Sequence, residues 1–229
     1  MCRRFTQLLT WRLVVDLYRL TDAPEPPAGF RASYNIAPRQ NVLVVGRGDH
    51  GPEARMMRWG FIPAWAKTKP SETPINARGE TVASSRVFKS AFKVRRCLVP
   101  SCGFYEWQEQ PGGGKQPYWL SMRDGRAFSI AGVWERWHPE GSEPVETLAL
   151  ITTEPNSLAA KVYNRMPVIV AQGDYEAWLT AEAPNAQNLI RPYPAEAMKA
   201  YPISTRVNSP RNNSPDLIQP MEPERDLLG

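Results

Sequence analysis

The apolar positions of this chain come in short blocks whose period changes repeatedly along the sequence. After Thr10, which can cap a helix, Trp11, Val14, Val15 and Tyr18 recur at i, i+3, i+4 and i+7, one helix face. A proline-rich loop follows from Ala23 to Ala28. Asn41–Arg47 and Ala54–Trp59 read as two strands joined through Gly48-Asp49-His50-Gly51. Trp59 to Trp65 mixes Gly, Pro and aromatics too densely for regular structure and predicts a shaped loop. Glu80 to Val94 reads as helical. Strand-like runs then recur at Cys97–Pro100, Phe104–Gln108, Pro117–Met122, Phe128–Val133, Thr147–Ile151 and Val168–Val170, with short helices over Asn156–Val162 and Asp174–Leu179.

Many short strands with a few helices between them predict an α+β fold, a mainly antiparallel sheet or open barrel with several short flanking helices. With 229 residues, no internal repeat and no break in composition, a single domain over 1–220 is expected. The polar residues 221–229 are expected to form a loose tail. Hydrophobic content of 42% and charged content of 22% exclude a wholly disordered chain. No apolar run approaches the roughly 20 residues of a membrane span, and no apolar block of a secretory signal opens the chain. The 23 prolines sit mostly in loops, where they stiffen segments able to line a site.

Charge changes the picture. Between Asn76 and Arg96 lie six cations (Arg78, Arg86, Lys89, Lys93, Arg95, Arg96) and a single anion, Glu80, a surplus equal to the whole chain's net +5. Such a stretch suits a polyanionic partner, and it reads equally as a solvated helix face. Three cysteines, Cys2, Cys97 and Cys102, form no pairing pattern and suit a reducing cytoplasm. Their spacing, with only His50 and His138 to complement them, argues against a metal site.

The second residue carries the most distinctive chemistry. Cytosolic processing removes an initiator Met before a small side chain, so the mature chain is expected to begin with Cys2. A terminal cysteine sets an α-amine and a thiol on adjacent carbons. The amine's pKa of about 7.7–8.0, against about 10.4 for lysine, leaves a neutral, nucleophilic fraction near pH 7. It can form a Schiff base with an aldehyde, and the thiol can close onto that imine as a thiazolidine. Four polar segments are candidate site loops: Pro74–Glu80, Gly103–Trp107, Tyr163–Pro167 and Val207–Ser209 with Asn212-Asn213. Singly each is weak, and a Glu between aromatics on a strand is commonly just a solvent-side residue.

In order, however, seven motifs recur together. They are Met1-Cys2-x-Arg4-Phe5, Tyr34-Asn35-Ile36-Ala37-Pro38, Arg58-Trp59-Gly60-Phe61-Ile62-Pro63-x-Trp65, Ile75-Asn76-Ala77-Arg78-x-Glu80-Thr81, Gly103-Phe104-Tyr105-Glu106-Trp107, Arg165-Met166-Pro167-Val168 and Leu217-Ile218-Gln219-Pro220. This set resembles the SOS-response-associated peptidase (SRAP) family, over nearly the full chain. The resemblance implies an abasic-site shield that binds single-stranded DNA, or junctions between single and double strand. It implies a covalent link from Cys2 to the ring-opened abasic sugar after self-removal of Met1, the step behind the peptidase name. Asn76 would hold the sugar and the amine, and Glu106 would handle protons. Arg78, Arg86 and Arg165 would meet phosphates, and Trp65 and Trp107 would stack on bases. Arg4 and Asn35 belong to the implied DNA-binding set. No cofactor and no metal are implied, and a cytoplasmic, nucleoid-associated monomer is expected.

The implied roles are physically coherent. An abasic sugar is mostly a closed hemiacetal, so a proton-shuttling carboxylate helps expose its aldehyde. Flanked by Tyr105 and Trp107, Glu106 is expected to be partly desolvated with a raised pKa. Base stacking contributes on the order of 1–3 kcal/mol per base without reading sequence. Two departures from the family pattern stand out. Arg3 replaces the usual Gly after the cysteine, and Tyr163-Asn164-Arg165 replaces His-Asp-Arg, putting a phenol where the family has a catalytic imidazole. Crosslinking through Cys2 is expected to survive, with imidazole-assisted steps slowed. A non-covalent single-strand-binding module is the alternative. A peptidase acting on other proteins is weaker, because no histidine lies in a matching motif.

Overall fold

The computed structural model describes residues 2–21 and 23–221. Met1 and residues 222–229, on which the expected Met removal and most of the expected tail fall, lie outside the described residues. The chain opens with β1 (Arg4–Gln7), α1 (Trp11–Tyr18) and β2 (Ser33–Ile36). A hairpin of β3 (Asn41–Arg47) and β4 (Pro52–Trp59) precedes short β5 (Asn76–Arg78) and α2 (Lys89–Val94). Five strands follow: β6 (Arg96–Ser101), β7 (Gly103–Glu109), β8 (Lys115–Met122), β9 (Phe128–Trp137) and β10 (Val145–Thr153). The chain ends through β11 (Met166–Pro167), β12 (Ile169–Val170), α3 (Tyr175–Thr180), α4 (Ala183–Gln187) and β13 (Met198–Pro202).

Two sheets result. The smaller runs β13-β8-β7-β1-β2, antiparallel throughout. The larger runs β11-β10-β4-β3-β6-β9-β12, and β10 also pairs with β9. That extra pairing closes β10, β4, β3, β6 and β9 into a ring within the expected α+β fold of mainly antiparallel strands and short helices. The closure depends on β10, which is antiparallel to β9 on one side and parallel to β4 and then β5 on the other.

The alternation of side chains explains the apolar runs. Along β3, Leu43 and Val45 face a core shared with the helices, while Val42 and Val44 face a second core shared with the smaller sheet. A strand buried on both faces reads as a continuous apolar block. Thr10 caps α1 as expected, accepting from the Leu13 N–H, and Val14 and Tyr18 are buried. The helix expected over Glu80–Val94 is confined to Lys89–Val94. Upstream, Ser84 Oγ donates to the Thr81 carbonyl and Ser85 Oγ accepts from the Val87 N–H, local bonds that compete with a helix. The helix expected over Asn156–Val162 shrinks to a 3-10 turn at Ala159–Lys161, with Asn156 Oδ1 accepting from the Leu158 and Ala159 N–H groups.

The smaller sheet has two different faces. Phe5, Phe104, Leu120, Met122 and Met198 line one, together with Cys2. Tyr105 and Trp119 line the other, under the 3-10 turns Thr205–Asn208 and Pro215–Ile218. Gly103 is required where the second face packs tightly, because a Cβ there would fall 2.5 Å from the Trp119 ring. Met221 is held by its N–H to the Pro202 carbonyl.

Candidate active site

Cys2 lies just before β1 and is fully buried, at 0% exposure, in the core beneath the smaller sheet. The thiol is not at the surface. Instead the thiol rests against apolar neighbours, with only a weak contact of 3.8 Å to the Arg4 carbonyl. Burial, reinforced by the Glu106 charge, pushes the Cys2 thiol far above its ordinary pKa. The thiol is therefore protonated at physiological pH and is not a preformed thiolate.

Asn76 reaches Cys2 from the other sheet. It starts β5, which pairs with β10 through Asn76 opposite Leu150. Its Nδ2 donates to the Cys2 carbonyl at 2.9 Å. Its Oδ1 is buried and makes no hydrogen bond with any described residue. A buried acceptor without a donor costs about 1–3 kcal/mol, which marks the atom as a place for an incoming hydroxyl or amine.

Glu106 lies on β7, buried at 3% exposure on the same face as Phe104. Its pKa is raised to about 7, chiefly by burial, against the lowering pull of positive charge at the amino-terminal end of the chain and at Arg3. A carboxyl poised there exchanges protons readily near neutrality. The raised value and its cause, desolvation, were expected, but the residues that exclude the water were misplaced. Tyr105 and Trp107 project to the opposite face and join the other cluster, so they do not wall the carboxyl in. Strand alternation requires this for immediate neighbours. The residue that stands beside Glu106 is Tyr118, directly across the β7–β8 ladder. Sequence reasoning passed over it. Its signal was the alternation of Tyr118, Leu120 and Met122, readable only once the register is known.

The structure thus brings Cys2, Asn76 and Glu106 to one place. Tyr163 is half-buried just after the Ala159–Lys161 turn, and Gln108, two residues beyond Glu106, donates to the Lys161 carbonyl at 2.7 Å. This bond ties the Tyr163 segment to β7.

The expected DNA-binding residues divide. Arg78 and Arg86 are exposed, and Trp65 is 64% exposed on its loop, which Trp137 pins through Nε1 to the Ala66 carbonyl. The others are engaged within the protein. Arg4 donates to Asn35 Oδ1 and the Val207 carbonyl, both at 2.9 Å, while Asn35 Nδ2 reaches the carbonyls of Val207, Ser209 and Asn212. Trp107 Nε1 donates to Asn208 Oδ1 at 2.8 Å. Arg165 forms a two-pronged ion pair with Glu80 at 2.6 and 2.9 Å and also donates to the Thr152 carbonyl.

The basic stretch is thinner than its sequence suggests. Arg95 pairs with Glu135 at 2.8 Å. Arg96 is 3% exposed and donates to the carbonyls of Phe92, Lys93, Trp178 and Ala181, at the ends of α2 and α3. That leaves Arg78, Arg86, Lys89 and Lys93 on the surface. Among the described residues no His, Cys, Asp and Glu side chains group to hold a metal ion, and no helix is long and apolar enough to cross a membrane.

Comparison with known proteins adds a lineage to this geometry. The family model for the SOS response associated peptidase (SRAP) matches residues 1–210. The chain is 35% identical over 223 residues to the abasic site processing protein YoqW of Bacillus subtilis (strain 168), covering 96% of this chain and 99% of that one. It is 36% identical over 222 residues to YoaM of the same organism, also named an abasic site processing protein, covering 95% and 97%. The X-ray structure of a protein from Bacteroides thetaiotaomicron superposes with a TM-score of 0.84 at 26% identity, covering 96% of this chain and 100% of that one.

Proposed function

The chain belongs to the SOS response associated peptidase (SRAP) family, and from that membership and the geometry around Cys2 we propose that it processes abasic sites in DNA by trapping them covalently. The observation that carries the reading is the meeting of Cys2, Asn76 and Glu106: an amide 2.9 Å from the Cys2 carbonyl, with a buried carboxyl of pKa about 7 acting on the same residue. Single-stranded DNA, alone or at a junction with duplex, is the expected substrate, since an unpaired strand can splay its sugar into the site.

Removal of Met1 comes first and frees the α-amine of Cys2. The neutral amine adds to C1′ of the ring-opened sugar, giving a carbinolamine. Glu106, its pKa raised chiefly by burial, donates a proton to the departing hydroxyl, so that water leaves and an imine remains. The Cys2 thiol then adds across the C=N bond. Its sulfur bonds to C1′ and its proton passes to nitrogen, closing a thiazolidine with loss of one water overall. Because the thiolate is the nucleophile, the buried thiol must give up its proton to the imine nitrogen as its sulfur attacks. Asn76 Oδ1 is available to accept from the sugar hydroxyl or the amine. Trp65 offers an exposed stacking surface, and Arg78 and Arg86 offer charge for phosphates.

The test is incubation with single-stranded DNA bearing one abasic site, followed by denaturing electrophoresis and intact-mass measurement. A slow band lost in Cys2→Ala, with a mass lacking Met1, supports trapping. Binding seen only under native conditions overturns the covalent step and returns the non-covalent module, which the Tyr163 replacement favours.

A further inference from the structure

We propose that Tyr118 is a positioning residue of this site, whose ring walls Glu106 off from solvent and so sets the pH range in which that carboxyl exchanges protons. The proposal deepens the trapping reading above and rests on it.

The argument is one of register. β7 and β8 pair antiparallel with Phe104 opposite Leu120, Glu106 opposite Tyr118, and Gln108 opposite Gln116. These pairs lie on one face, and directly opposed Cβ atoms in such a ladder are about 4.5–5.5 Å apart. Phe104 and Leu120 are fully buried, whereas Gln108 and Gln116 are only half-buried. The Glu106–Tyr118 pair therefore stands where an apolar floor meets a polar, wetter end of the sheet. Glu106 is nonetheless 3% exposed. Tyr118 is the aromatic residue directly across from it at that boundary, and it packs against the same cluster that holds Cys2.

The surrounding charges do not provide another explanation for the raised carboxyl. Arg3 and the positive charge at the amino-terminal end of the chain both lower its pKa. The Cys2 thiol is neutral at physiological pH. Asn76, reaching Cys2 from β5, carries no charge. What raises Glu106 is exclusion of water, and on β8 that exclusion falls to Tyr118.

The experiment compares Tyr118→Phe with Tyr118→Gln in the full chain, the second matching the polar pair one step along the ladder. The Glu106 carboxyl is titrated directly by carbon-13 NMR, and the crosslinking rate with abasic single-stranded DNA is measured across the same pH range. Tyr118→Phe is expected to keep the wild-type midpoint of about 7 and the wild-type rate. Tyr118→Gln is expected to drop the midpoint toward the ordinary carboxylate range, move the rate optimum down with it, and slow crosslinking several-fold at pH 7. A folded Tyr118→Gln with an unmoved midpoint overturns the proposal, as does a Tyr118→Phe midpoint shifted equally far. Tyr118→Thr repeats the comparison should the Gln variant not fold. If the wild-type protein forms no crosslink, the trapping reading fails, while the NMR midpoints still decide the role of Tyr118.

Discussion

The pocket around Cys2 and the cationic stretch from Asn76 to Arg96 hold their polar groups in opposite conditions. In the pocket, the polar groups are buried with capacity left over: Asn76 keeps an acceptor open and Glu106 sits near the middle of its titration. Along the stretch, two of six cations are already engaged by the protein, Arg95 by Glu135 and Arg96 by four carbonyls. Burial therefore preserves reactivity in one region and uses up charge in the other. Charge counted along a chain is not charge offered to a partner.

The sharpest way to break this comparison is Glu106→Gln. On the proposed general acid–base role, its loss should slow crosslinking by about 10²–10⁴-fold. The same change should relieve a cost. The folded carboxyl's pKa is raised from 4.5 to about 7, so between those values the native state holds a proton the unfolded chain has released. Wild-type stability should then fall as pH rises through that window, by about 3 kcal/mol once pH 8 is reached. Urea unfolding at pH 5 and pH 8 should show that decline in the wild type and a flatter response in Glu106→Gln. Equal pH responses would mean that the carboxyl is not held in an unfavourable environment.

Arg96→Ala comes next in size. It leaves four carbonyls at two helix ends without their shared donor, at about 1–3 kcal/mol for each group that water cannot reach. Arg86→Gln should leave unfolding unchanged and reduce the slope of log affinity for single-stranded DNA against log salt by about 0.7, one phosphate contact. Arg96→Ala, measured where it remains folded, should leave that slope alone. If it flattens the slope as Arg86→Gln does, the division between structural and available cations is wrong.

How legible each region was follows from the reach of its interactions. β3 was readable because both its faces are buried, which writes a continuous apolar run into the sequence. The helix at Thr10 was readable because its cap and its apolar face are both local. β1, β2, β5, β11 and β13 escaped notice. They are two to five residues long, and most pair with strands far away in sequence, as for Asn76 opposite Leu150. Cys2, Asn76 and Glu106, which the structure brings together, each stood in one of the sequence motifs. The burial of the thiol and the identity of the wall beside Glu106 were not legible there, since both depend on cross-strand register. That Arg4 and Asn35 fasten β1 and β2 to the 207–212 segment was likewise not readable from sequence.

The smallest expected effect probes the boundary between the two regions. Arg165 sits just before β11 and reaches across β10, where Thr152 lies opposite Arg78 on one side and Pro167 on the other. Glu80 neutralises it with both carboxylate oxygens, and the Arg165 guanidinium in turn holds the Glu80 pKa below its ordinary value. The Glu80 side chain is 51% exposed, so the pair contributes only about 0–1 kcal/mol to stability, and Glu80→Gln should unfold almost as the wild type does. Electrostatically, however, the substitution leaves one more uncompensated cation beside the site. Affinity for single-stranded DNA should rise several-fold at low salt, with the salt slope steepened by about 0.7, and the gain should vanish at high salt. Weaker binding by Glu80→Gln at every salt concentration would show that the carboxylate orients Arg165 instead of competing with phosphate for it, and would move Arg165 from the group of engaged cations to that of available ones.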